Sequence, residues 1–146
     1  MTRHWSYFVP GVPKAQQRPR AFARLIDGKP IARVYCPGTA EAWKASIALG
    51  CADGMPDKPL WGPVRVDMAF HMPRPKRLMR AKDPEGPIPH TQKPDFDNLV
   101  KGTLDALKTI GWFRDDAQVC QSLISKQYHG KAQVPGCFIE IEEMDA

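Results

Sequence analysis

The chain has no CxxC pair and no grouping of cysteine and histidine with the spacing of a zinc site. Its four cysteines, Cys36, Cys51, Cys120 and Cys137, are expected as reduced, buried thiols. No stretch approaches the ~20 apolar residues that a membrane-spanning helix needs. The start, "MTRHWSYFVP", lacks the apolar run of a signal peptide, so a cytoplasmic location is expected. Neither an internal repeat nor a second domain is visible, and 146 residues suit one domain, 1–146. Acidic residues are scarce over the first two thirds. Residues 1–94 carry 16 Lys/Arg against 7 Asp/Glu, whereas residues 95–146 carry 5 against 9. The whole chain is at +5. A basic first part suits a polyanionic partner, although basic residues also serve only to solvate a surface.

Proline is abundant, 15 residues against a usual share of ~5%. Most of it precedes residue 95, which predicts turns and extended segments there. "HWSYFVPG" (4–11) reads as a strand ending at Pro-Gly. "AFARLI" and "IARVYC" flank "DGK", a hairpin turn. Residues 39–52 predict a helix capped by Thr39. Residues 62–72 alternate Val64, Val66, Met68 and Phe70 against Arg65, Asp67, Ala69 and His71, the clearest strand of the chain. The proline-rich stretch 73–94 has no period and reads as a long loop; its first ten residues hold five Lys/Arg and no acid.

A helix is predicted over about 97–109, with Leu99, Val100, Thr103, Leu104, Ala106 and Leu107 on one arc and Asp97, Lys101, Asp105 and Lys108 opposite. Residues 119–129 and 136–144 read as strands. The fold class is therefore α+β: one small domain, a mixed or antiparallel sheet with two or three packed helices.

Carboxylates gather around the second helix. Asp95 and Asp97 stand at its start, Lys101 lies one turn further on, and Asp115 and Asp116 follow its end. Each element has an ordinary explanation: Asp97 as a cap, Asp97–Lys101 as an i,i+4 pair, Asp115–Asp116 as a solvated turn. If a short reversal brings the acids together, their repulsion calls for a cation. Carboxylate oxygens suit a hard divalent ion such as Mg²⁺.

"KPDFDNLVKGTLDALKTIGWFRDDAQV" (93–119) resembles the signature of the RusA family of Holliday junction resolvases, often encoded by phages and prophages. "VPKAQQRPR", "HMPRPK" and Lys126 also fit that pattern, with a less regular spacing of basic residues in the first. The resemblance runs from about residue 6 to 128. It implies metal-dependent, paired nicking of four-way DNA junctions by a homodimer, with Mg²⁺ as the metal and Mn²⁺ as an alternative. By position it carries the metal-holding role to Asp95, Asp97 and Asp116, with Asp115 as the alternative to Asp116, and a catalytic role to Lys101.

Lys14, Arg18, Arg20, Arg74, Lys76, Arg77 and Lys93 are the candidate contacts to DNA phosphates. Trp112 and Phe113 are candidates either for stacking on unpaired bases or for the core. His71, His90 and His129 have no assigned role. Two other readings are open: a branched-DNA-binding module without catalysis, and a metal-dependent nucleotide hydrolase, which the breadth of the basic region disfavours.

Overall fold

The computed structural model describes residues 2–16, 20–35 and 40–146. The chain runs β1 (His4–Pro10), β2 (Arg20–Ile26), β3 (Lys29–Tyr35), α1 (Glu41–Gly50), β4 (Val64–Met72), β5 (Ile88–Pro89), α2 (Phe96–Ile110), β6 (Val119–Gln121), β7 (Ile124–Tyr128) and β8 (Gly136–Glu143). The main sheet has the order β1-β8-β4-β7-β5, with β6 also pairing with β4. It is mixed: β8 lies antiparallel to β4 and β1, while β6 and β7 lie parallel to β4. β2 and β3 form a separate hairpin. Its two-residue turn, Asp27–Gly28, has positive φ at both positions, the conformation that matches strand twist in a tight hairpin. The α+β class is as expected, with two α-helices among the described residues.

β4 is the centre because its pattern allows one face to be fully dry. Val64, Val66, Met68 and Phe70 are buried, and they meet Ile139, Ile141 and Cys137 of β8 on the same face. Trp43 and Ile47 of α1, with Leu99, Ala106 and Leu107 of α2, close that core. α2 follows its predicted arc, and Gly102 and Thr103 are buried with it. Gly111, at φ 100°, ends the helix in the left-handed conformation, and its N–H donates to the Leu107 and Lys108 carbonyls.

Several expectations change. The expected strand 119–129 is two strands, because the Asp67 carboxylate takes the Leu123 N–H at 2.8 Å and breaks the ladder between β6 and β7. The stretch 73–94 is ordered by a 3₁₀ turn, Lys76–Leu78, and by β5. Of the two readings for Trp112 and Phe113, the core holds: Trp112 donates to the Cys51 carbonyl at 3.0 Å and sits edge-on to Trp5 and Tyr7. Cys51 and Cys137 are buried free thiols, but Cys120 is exposed. The N-cap of α1 is Ala40, without a side-chain cap; Thr39 and Cys36 lie outside the described residues. Among the described residues no helix is long and apolar enough to cross a membrane.

His71 is buried against Phe138, with no partner for its Nδ1. Burial first, and neighbouring His129 second, hold its pKa below the ordinary 6.5. The unfolded chain therefore binds a proton more readily than the folded one as the pH falls below ~6.5. Stability is expected to drop on acidification through that window. His71→Phe should flatten the dependence between pH 7 and 5 in thermal melts; an unchanged slope would remove His71 as its source.

Candidate active site

The N-terminus of α2 is positioned from three sides. Asp95 is the N-cap in extended conformation, two residues earlier than the predicted cap Asp97. Its side chain makes no capping hydrogen bond. Asp97, in the first turn, accepts from the Asn98 N–H at 3.0 Å. Both carboxylate residues and Lys101 are exposed. The segment leading in contains a cis Lys93–Pro94 peptide. Lys126 of β7 holds it by donating from Nζ to the Gln92 and Pro94 carbonyls at 2.6 and 2.7 Å. Gln16 donates its backbone N–H to the Asn98 carbonyl at 3.2 Å, which ties residues 12–16 to the helix. Phe96, between the two carboxylates, is 53% exposed.

Asp115 and Asp116 lie at the other end of the helix. A 15-residue helix is ~22 Å long. The Asp115 pKa is held below the usual carboxylate range by the Ala117 N–H, then by a hydrogen bond with Asp116 and by the charge of Lys108, in the last turn of α2. The strands agree with this separation. Val119, just after the Asp pair, lies beside Val64 at one end of β4, whereas Lys126, which grips the Asp95 loop, pairs with Phe70 towards the other end. The chain thus does not bring the acids together as a reversal after the helix would have done. Among the described residues no group of three or more His, Cys, Asp or Glu side chains is able to hold a metal ion.

The two members of the Asp pair do different things. Asp115 caps the 3₁₀ turn Asp116–Gln118, accepting from Ala117 at 3.0 Å. Gln118 completes the turn: its Oε1 accepts from the Arg114 and Asp115 N–H groups, and its Nε2 donates to the Leu60 and Gly62 carbonyls. Asp115 is engaged in building the turn, and Asp116 is the half-buried carboxylate that the turn carries. The glutamine was legible only as part of the sequence pattern; its role depends on carbonyls more than 50 residues away in sequence.

The candidate cations divide. Lys14 and Lys93 line one groove of about 380 Å³ that ends at Pro94, directly before Asp95. Lys76 and Arg77 are exposed on their 3₁₀ turn. Arg74 is not a surface cation. It is 8% exposed, and its guanidinium donates to the backbone carbonyls of Leu78, Gly86, His129 and Pro84. Four carbonyls at fixed positions suit the planar fork of arginine and compensate the buried charge. Arg18 lies outside the described residues; Arg20 belongs to β2, with its side chain outside the described part.

The family model described as "Endodeoxyribonuclease RusA" matches residues 10–142. A protein of Bacillus subtilis (strain 168), described as uncharacterized protein YqaN, is 34% identical over 145 residues, covering 96% of each chain. The matched span includes both ends of α2, the Lys126 clamp and the groove, and the chain belongs to the RusA endodeoxyribonuclease family.

Proposed function

We propose that this endodeoxyribonuclease resolves four-way DNA junctions by paired nicks, requires Mg²⁺ (or Mn²⁺), and works as a homodimer. Family membership supports the nuclease activity and branched DNA as its substrate. The observation that carries the rest is the placement of acids at two ends of one helix, with cations beside the first. The donor chemistry fits a hard divalent ion: exposed carboxylates, one of them an N-cap that does no capping. One chain does not fit a three-carboxylate site. A two-fold dimer that sets the α2 N-terminus against the partner's 3₁₀ turn would. Asp95 and Asp97 of one chain and Asp116 of the other would then hold the ion. Symmetry would produce two such sites, which suits two symmetric cuts.

A divalent ion in such a site acidifies water and stabilises charge on a phosphodiester. The chain's own groups do the rest. Lys101, one turn beyond Asp97, is placed to neutralise charge that develops on the phosphate oxygens. Lys14, Lys93, Lys76 and Arg77 hold flanking phosphates, which sets register without reading sequence. Lys126 keeps the strand-to-helix segment in place. Lys126→Met is expected to lower cutting while junction affinity, measured by gel shift in EDTA, stays close to wild type; an equal fall in both would make Lys126 a DNA contact instead.

The lack of a three-residue metal cluster among the described residues of one chain favours one alternative, a branched-DNA-binding module that does not cut. Junction cleavage with and without Mg²⁺ separates the two. The binding module predicts tight, metal-independent association with no product.

A further inference from the structure

The groove beside Asp95 has features that phosphate binding alone does not explain. Its volume, about 380 Å³, lies within the roughly 300–1,000 Å³ of small-ligand clefts and is far too small for a duplex. Its wall is largely apolar, with Val12, Pro13 and Met72, yet Lys14 and Lys93 also line it. His90 lines it too, 9% exposed, with Nδ1 lacking any hydrogen-bond partner and the ring edge-on to Tyr128. Buried polar atoms are normally paired, so the groove wall carries an imidazole nitrogen with unmet hydrogen-bonding capacity. Burial, and then the charge of Lys126, lower the His90 pKa below its ordinary value.

We infer that this groove seats a single unpaired nucleotide of the branched substrate, its base on the Val12–Pro13–Met72 wall and its phosphates at Lys14 and Lys93. An unpaired nucleotide has the required mixture: a flat apolar face, hydrogen-bonding edges and negative charge. A paired base cannot enter without leaving the stack, and a branch point is where that costs least. Because Lys93 and Pro94 run directly into Asp95, the seated nucleotide lies next to the phosphate presented to the carboxylates. The groove therefore selects branched over linear DNA. This rests on the reading of the chain as a junction nuclease.

The test uses the full chain carrying Asp97→Asn, which binds without cutting, and four-way junctions with 2-aminopurine at the branch nucleotides. Fluorescence should rise several-fold on junction binding as the base leaves the stack, and not with the same base inside a linear duplex. Adding Val12→Phe, an exposed position on the groove wall, should abolish the rise while gel-shift affinity for the junction falls only a few-fold. Folding of that variant is checked by its melting temperature, and Lys14→Gln provides a second, polar alteration that should weaken the rise. A rise that survives Val12→Phe, or tight junction binding without any rise, overturns the groove's assignment and leaves the nuclease reading intact. Absence of junction binding by the Asp97→Asn chain overturns both.

Discussion

Mixing two inactive variants, Asp97→Asn and Asp116→Asn, is expected to restore nicking. Each variant alone should lose on the order of 100-fold or more in cutting rate, the scale seen when one group that stabilises transition-state charge is removed. In a mixed dimer one composite site receives Asp95 and Asp97 from the Asp116→Asn chain and Asp116 from the Asp97→Asn chain, so it is intact. The opposite site carries both substitutions. The mixture should therefore nick one strand of the junction without the paired second cut. The expectation follows from geometry: the two acidic loci stand at opposite ends of the 15-residue α2, ~22 Å long, and among the described residues one chain gathers no three-carboxylate site. If mixing restores nothing while the chains exchange, as mass spectrometry of tagged dimers would show, the composite site is excluded.

The second large effect is on stability. Arg74→Ala is expected to destabilise the protein by about 3 kcal/mol: hydrogen bonds to charged groups contribute ~1.5–3 kcal/mol each, and the loss of several is partly offset because the charge is no longer buried. For a chain of this length that is a fall in melting temperature of roughly 6–12 °C. The substitution leaves the Leu78, Pro84 and Gly86 carbonyls of the 73–94 stretch without their shared donor. Lys76→Ala with Arg77→Ala should behave in the opposite way. Both side chains are exposed, so the melting temperature should hold while the salt dependence of DNA binding becomes shallower, by about one unit of slope per lost phosphate contact. Comparable melting temperatures for Arg74→Ala and the double variant would contradict the assignment of Arg74.

The contrast between these cations shows what one sequence can and cannot reveal. β4, β8 and α2 were legible because local periodicity and burial agree: every second residue of β4 faces the helices, and α2 keeps one apolar arc. The Asp27–Gly28 turn was legible because those residues tolerate the required positive φ. What failed depended on distant partners. The break between β6 and β7 comes from the Asp67 carboxylate, 56 residues from Leu123. Arg74 reads like its basic neighbours, and only the carbonyls that converge on it bury it. For Trp112 and Phe113, stacking and core were both open, because they follow a helix C-cap; the pairing of Leu60 with Phe113 decides for the core. The acidic residues stood out by their gathering around α2, and the family pattern carried the metal-holding role to them. Their separation was implicit in the length of the helix between them, which a possible reversal after Gly111 obscured.

The most direct test of the central claim is cleavage of a labelled mobile four-way junction beside a linear duplex of equal length, with and without Mg²⁺, by the wild-type chain and by Asp97→Asn. The account predicts symmetric nicking of the junction alone, only with metal, and none by the variant. Tight junction binding without cutting in Mg²⁺ or Mn²⁺, or cutting that persists in Asp97→Asn, would contradict it.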